Sequence, residues 1–467
     1  MSENRSAVIA SLLLFGCVIS SALPAAPGGT GGGYQMLKQS RASSNSIANI
    51  MPNLSVGVGS LARVVDGQIQ ERQLEISWWS IDGGYQEGDQ IVLYQYVSET
   101  SFCQSMGSAV IEQTTIDAEM ANASWVRLNS SMPHWVAGDL IDERCQYYWA
   151  AYVRLDGQIV ACNCLRARPN WMADLKDTGI SAAKLRELYL PGTHDAAAYE
   201  RYAGLSSDQI DTKYAITQDE DLFHQLSFGV RYLDMRIIFS PNLPNGTDVR
   251  FYTHHGSYIL RPLVNDTALV REFISRTEEI IIFDIHGVDN LDQEPGAHQE
   301  LQDLLYQEFS QWMAPANMTW EATLNDFWSS GKRLIVTYND PNHVGAPYFW
   351  PAVKHQWGDV NTVEDLESYL TGVMEDAAQG QFELACRGIP IANCRPWSAM
   401  SELTPNSLDV MTDRLDGLRN AADLVNRNVT NWFRDRWSEL ATIVSLDFFL
   451  GGNIVNLAIA ENQRRYP

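Results

Sequence analysis

The sequence predicts an α/β protein in which a TIM-like (β/α) barrel is preceded by a smaller all-β sandwich domain. Three observations predict it. Short β-like runs separated by turn residues fill the stretch from about Asn53 to Ala167. After Arg168-Pro169, branched apolar segments alternate with helical ones over roughly 290 residues, the length and texture of a barrel whose active site lies at the carboxyl ends of its strands. The chain of 467 residues is also long enough for two domains that each bury a core.

The elements follow in order. Residues 1–23 carry a short start with Arg5, then an apolar run to Leu23 followed by Pro24-Ala25-Ala26, the pattern of a secretory signal peptide cleaved near Ala22 or Ala26. Residues 24–52 are rich in Gly, Ser and Ala without sustained periodicity and read as a flexible lead-in. In 53–168, Leu74–Trp78 alternates, Asp82-Gly83-Gly84 turns, Gln90–Tyr94 follows, and Tyr147–Val153 precedes the Asp156-Gly157 turn, as in an antiparallel sandwich. In 169–467, Tyr232–Ile238, Glu279–Ile285 and Arg333–Thr337 have the apolar, branched texture of buried parallel strands. Between and after them Leu263–Ser275, His298–Trp312 and Val363–Met374 have helical periodicity. No stretch after the signal is long and apolar enough to span a bilayer.

Composition narrows the function. A formal net charge of −24 excludes nucleic acid and long-range attraction to anionic membranes, so a lipid encounter must rest on local apolar contacts. Seven cysteines leave an even set once Cys17 in the signal is set aside: Cys103, Cys145, Cys162, Cys164, Cys386 and Cys394. In an exported chain these form a disulfide framework whose full pairing the sequence does not choose; Cys386 with Cys394 is the preferred local pair, because Gly388 and Pro390 let the chain turn back. Sequons at Asn53, Asn122, Asn129, Asn245, Asn265, Asn317 and Asn428 are expected to be in part glycosylated and exposed.

The chemistry-bearing residues stand at strand ends. Leu188-Tyr189-Leu190 runs into a Pro191-Gly192 break and delivers Thr193, His194 and Asp195. Asp234 and Arg236 lie two apart on one face of the next apolar segment, and His255 precedes Gly256. Asp284 and His286 share a face by the same periodicity, and polar side chains in apolar strands need partners to offset their burial. Tyr338 and Asn339, after Leu334–Thr337, are placed as pocket walls, and Tyr348–Pro351 near Trp357 as an aromatic rim. His224 is expected to pack or cap a helix before Gly229, and His134, His298, His343 and His355 to be surface or loop residues.

Together the Pro-Gly-Thr-His-Asp loop, the Asp234/Arg236 pair, His255 before Gly256 and Ile443–Phe449 with Asp447 resemble the phosphatidylinositol-specific phospholipase C X-domain family, in particular its small animal branch with an N-terminal sandwich. The resemblance covers about Trp171 to Asn462. It implies a secreted phosphoric diester hydrolase acting on an inositol phospholipid or glycosylphosphatidylinositol at a membrane surface through a cyclic inositol phosphate. It further implies His194 as base, His255 as acid, Arg236 as the group facing developing charge at phosphorus, Asp195 and Asp234 as supports, and Asp447 as the orienter of His194. Asp284, His286, Tyr338 and Asn339 are the candidate substrate-binding residues. Calcium-dependent members carry a carboxylate where Arg236 stands and an Asn where Asp195 stands, so neither cofactor nor metal is expected. His286 falls where metal-independent bacterial relatives carry a lysine. Two alternatives remain: a non-catalytic extracellular inositol-lipid or phosphate-binding protein, against which the intact residue set speaks, and a glycerophosphodiesterase-like barrel enzyme, which metal dependence would separate.

Overall fold

The computed structural model describes residues 52–61, 63–65, 68–70, 72–99, 101–104, 109–132, 140–199, 213–241, 249–340, 342–343, 347–385 and 394–467. The expected signal peptide and lead-in, His134, the Asn245 sequon and Cys386 lie outside them. Ile47 to Pro467 forms one compact unit.

Its first part is antiparallel. Leu54–Val58, Gln73–Trp78 and Trp125–Ser131 form a three-stranded sheet; Val110–Thr115, Gln90–Gln95, Cys145–Val153 and Ile159–Arg166 form a four-stranded one. Alternation puts Leu74, Ile76, Ile91, Leu93, Ala150 and Tyr152 into a common core, where Trp78 meets Tyr152 edge to face at 5.8 Å. The four-stranded sheet is stapled by disulfides Cys103–Cys162 and Cys145–Cys164; Cys394 is also disulfide-bonded. Asn122, Asn129, Asn265 and Asn317 are exposed.

The second part is the expected barrel. Its parallel strands are β1 (Leu190–Thr193), β2 (Tyr232–Phe239), β3 (Ile281–Asp289), β4 (Leu334–Tyr338), β5 (Phe349–Pro351), β6 (Lys354–Gln356), β7 (Trp397–Met400) and β8 (Ile443–Leu446). They hydrogen-bond in the order β5-β4-β3-β2-β1-β8-β7-β6. The two edge strands are consecutive in the chain, joined by Ala352 and Val353, so the sheet curls until its edges meet in one segment. A hairpin, Phe251–His255 with Tyr258–Pro262, branches off β2. Helices α1 (Leu263–Arg276), α2 (Ala297–Phe309), α3 (Val363–Ala378) and α4 (Gly417–Trp432) bury one face each, which is what their apolar spacing requires.

Two expectations change here. Pro191 and Gly192 sit inside β1 rather than breaking it. A Cβ at Gly192 would stand 2.6 Å from Ser445 Oγ and 2.8 Å from the Tyr232 ring, so glycine is what lets β1 lie between β8 and β2. Phe349 and Trp350 are not a rim: both are buried, and the Trp350 indole donates to Ala314 O at 2.9 Å. Trp357, half exposed, is the aromatic that reaches solvent.

The antiparallel part meets the barrel through buried ion pairs. Arg72 Nη2 lies 2.6 Å from Glu220 Oε1, and Arg427 Nη1 lies 2.8 Å from Glu75 Oε2. The apolar core is continuous across this seam.

Candidate active site

At the carboxyl ends of β1, β2, β7 and β8 lies a cavity of about 530 Å³ lined by His194, Asp195, Arg236, His255, Glu402 and Asp447, among others. Topology explains the convergence. β1 hydrogen-bonds β2 on one side and β8 on the other, which brings together residues as far apart as His194 and Asp447.

His194 follows the last residue of β1, and its Nδ1 contacts Asp447 Oδ1 at 2.8 Å, fixing the ring so that Nε2 faces the cavity. That Nε2 is 3.3 Å from Asp195 Oδ2, and His255 Nε2 reaches the same oxygen at 3.1 Å from the other side. His255 Nδ1 donates to Ala215 O at 2.9 Å, which fixes the second ring in turn. Arg236 donates to Asp234 from Nε at 3.2 Å and from Nη2 at 3.1 Å, and its Nε stands 2.9 Å from Asp195 Oδ1 as an ion pair. The guanidinium crosses Gly287, where a Cβ would come within 2.8 Å of Arg236 Cδ. Asp195 itself holds a left-handed φ of 39°, a conformation that costs a non-glycine residue roughly 1–3 kcal/mol and is kept by its surroundings. Thr217 Oγ1 donates to Asp195 O at 2.9 Å, and Asp234 O accepts the Ala196 N–H at 2.8 Å.

Charges follow from these contacts. Burial works against ionising Asp195, yet Arg236, His194 and His255 outweigh it and hold the carboxyl far below the usual range. Burial likewise opposes ionisation of Asp234 and Arg236, and their mutual attraction wins in both, lowering the acid and raising the base. His194 is raised well above an ordinary imidazole: burial disfavours its charge, but Glu402, Asp195 and Asp447 more than compensate. Asp447 is raised by burial despite His194.

Glu402 was not legible in the sequence. It is buried on the loop after β7, neither carboxyl oxygen has a hydrogen-bond partner, and burial pushes its pKa up to about 8. No motif surrounds it. Gln218 was also missed; its amide donates to His194 O at 3.0 Å and to Leu446 O at 2.8 Å, tying the loop of the first histidine to the end of β8.

The four candidate substrate-binding residues divide. His286 lines the cavity, stacked on His355 with ring centroids 3.4 Å apart. A bulge opposite Met235/Arg236 sets Arg236 beside Gly287 rather than His286, so strand parity alone does not describe this end of β3. Asp284 is fully buried beneath the cavity, accepting from Tyr232 Oη at 2.6 Å, Val353 N at 3.0 Å and Thr337. Tyr338 is fully buried away from the cavity with its hydroxyl on His298, and Asn339 reaches only the backbone, donating to His286 O at 3.0 Å. His298 and His355 are not surface residues; their side chains are only 8% and 10% exposed, His298 bonded to the buried Tyr338 hydroxyl and His355 to the buried Tyr232 hydroxyl beside Asp284. His224 packs inside a short helix against Asp221 at 2.7 Å.

No family model matches the chain. Among curated proteins it is similar to PI-PLC X domain-containing protein 1 of Danio rerio, 26% identical over 255 residues, 49% of this chain and 79% of that one. It is similar to PI-PLC X domain-containing protein 1 of Homo sapiens at 25% over 342 residues, 66% of this chain and 99% of that one. PI-PLC X domain-containing protein 3 of Danio rerio matches at 23% over 329 residues, 63% and 92%. Among solved structures, a mutant phosphatidylinositol-specific phospholipase C from Staphylococcus aureus is similar at 16% identity, 63% of this chain and 98% of that chain, with a TM-score of 0.45.

Proposed function

With PI-PLC X domain-containing proteins as its curated homologues, we propose that the chain is a secreted, metal-independent phosphodiesterase that cleaves phosphatidylinositol-type lipids by histidine acid–base catalysis. One observation carries the reading: two histidines, each fixed through Nδ1, aim Nε2 at the same carboxylate oxygen in one cavity, beside an arginine held by two aspartates.

The reaction follows from that arrangement. His194 Nε2 takes the proton of the inositol 2-hydroxyl, whose oxygen attacks phosphorus. The bond from phosphorus to the lipid oxygen breaks, and His255 delivers a proton to that oxygen. The products are a cyclic inositol phosphate and a diacylglycerol-like alcohol. Arg236 presents its fork of donors to the phosphoryl oxygens as charge builds. Asp195 and Asp234 hold the guanidinium, and Asp447 stabilises the His194 imidazolium. A resident metal has no role in this scheme, because Arg236 already meets the two carboxylates a cation would need. His286 contacts the sugar ring from the cavity wall.

Lipid access is supported by apolar exposure near the mouth. Trp357 lines the cavity, and Leu408 and Met411 are 66% and 67% exposed on the short helix Ser407–Thr412 that also carries the cavity residue Val410. These suit a neutral lipid surface better than a strongly anionic one, given the net charge of −24. Export is supported by the disulfides, and no helix among the described residues is long and apolar enough to cross a membrane.

The deciding experiment is hydrolysis of phosphatidylinositol micelles in chelator by the purified chain, beside His194→Ala, with detection of cyclic inositol phosphate. Cyclic product from the first and none from the second is expected. Turnover that returns only when calcium is restored would overturn metal independence, and no turnover by either protein would favour a binding protein.

A further inference from the structure

Outside the catalytic cavity a second set of ligand-type side chains converges. The loop after β3 carries Asp292, the first turn of α2 carries His298, and the loop after β4 carries Asp340 and His343. His298 Nε2 lies 3.1 Å from Asp292 Oδ1 and 3.9 Å from Asp340 Oδ2, and His343 Nδ1 lies 3.2 Å from Asp340 Oδ1. Donor atoms of His298, Asp340 and His343 all fall within 4.8 Å of one another. With ligand bonds of about 2.0–2.1 Å, neighbouring donors around a tetrahedral zinc ion stand about 3.3 Å apart, so the cluster already has that scale.

We propose that Asp292, His298, Asp340 and His343 form a binding site for a divalent transition cation of the zinc type. Two details beyond proximity point to a ligand. His298 Nδ1 is engaged by the Tyr338 hydroxyl at 2.8 Å, the outer partner that fixes a metal-binding histidine and leaves Nε2 toward the ion. His343 Nδ1 is sealed from solvent yet makes no hydrogen bond, although Asp340 is beside it. Two imidazoles with two carboxylates are a donor set for zinc rather than calcium, which takes oxygen ligands, and with neutral rings the set carries two negative charges for the ion to neutralise.

The other ligand-type clusters among the described residues are spoken for. Around Asp284, His286 and His355, the carboxylate already accepts from Tyr232, Thr337 and Val353, and Tyr232 also occupies His355 Nε2 at 2.8 Å. His194, Asp195 and Asp234 are committed to Asp447, Arg236 and His255.

The His298 and His343 rings lie stacked, centroids 3.7 Å apart and planes within 3°. Parallel rings cannot both aim a lone pair at one point, so loading tilts His343, whose side chain is 37% exposed on its loop. The ion then clamps the loops after β3 and β4. The clamp ends next to Asn339, whose amide holds the backbone of the cavity residue His286. The role is one of position, separate from the acid–base chemistry.

The test uses the purified full chain, stripped with chelator and titrated with zinc calorimetrically and with cobalt by visible absorption, beside His343→Gln, Asp340→Asn and His355→Gln. One ion per chain, tetrahedral cobalt bands, and affinity weakened at least about tenfold by His343→Gln and by Asp340→Asn but unchanged by His355→Gln is the expected result. No binding at micromolar zinc, binding indifferent to both His343→Gln and Asp340→Asn, or binding lost only in His355→Gln would overturn the proposal. Circular dichroism of each variant separates loss of the site from loss of the fold.

Discussion

Two charged networks can be compared within this one chain: the seam where the antiparallel sheets meet the barrel, and the cavity at the barrel's carboxyl end. Both bury arginines against carboxylates. In the seam Arg72 and Glu220 are 1% and 3% exposed and face only each other and their neighbours. In the cavity Arg236 is 30% exposed, His255 22% and His194 16%, and three cationic or titratable groups share one carboxylate, Asp195. The difference separates a charge network shut inside the structure from one open to a ligand. A pair shut in a dry seam has no open volume beside it for a ligand to enter, whereas donors that share one acceptor beside open volume can exchange it for a phosphate.

The largest effect that sharpens this comparison is on rate. His194→Ala should lower kcat by about 10²–10⁴-fold while the chain still folds, since it removes the proposed base and leaves unpaired only Asp447, which lines the cavity. Single-turnover kinetics beside a urea melt would check it, and a loss of stability matching the loss of activity would put the cavity in the same class as the seam. Next comes Arg72→Met, expected to cost about 3–5 kcal/mol because Glu220 is left buried and unpaired. The Arg72→Met, Glu220→Gln double variant should recover much of that in urea melts. Additive losses would mean that the seam works by packing alone.

Gln218→Ala gives a smaller and mixed effect, as expected of a residue that belongs partly to both networks. Losing the amide that ties His194 O to Leu446 O should cost about 1 kcal/mol of stability and lower kcat with little change in KM. A change confined to KM would mean that Gln218 shapes the mouth of the site and leaves the base where it is.

What the sequence made legible was whatever lies at a strand end or repeats with a strand's period. His194, Asp195, Asp234, Arg236, His255 and Asp447 all stand beside strong apolar runs, and β1 pairing with β2 and β8 then brings them together. Glu402 and His355 stood out from nothing around them, because their surroundings are made by ring closure between strands distant in the chain. His355 gave no sign that it stacks on His286, since the contact depends on β5 and β6 being two pieces of one segment that joins the sheet's edges. Position at the end of β4 makes Tyr338 a candidate pocket wall, but its side chain turns toward α2 and His298. Period tells which residues share a face; only the packed neighbours tell what that face meets.

Glu402 sets the finest test, because it belongs to the cavity yet is buried like the seam. A carboxyl raised to about 8 in the folded protein, against 4.5 for the ordinary group, keeps its proton where the unfolded chain has lost it. The folded state therefore binds more protons between those values, and stability contributed by this group is present below pH 4.5 and lost as pH rises toward 8. Glu402→Gln, which stays neutral, should flatten the fall in melting temperature between pH 5 and pH 9, conditions in which the wild type is measured alongside. The same substitution removes the foremost of the groups that raise His194. The acid limb of the kcat/KM profile should accordingly move to lower pH, because the base is free at a lower pH once its neighbour can no longer hold a negative charge. A flattened stability profile with an unmoved activity profile would make Glu402 a strained structural residue; both moving together would make it the group with which His194 shares its proton.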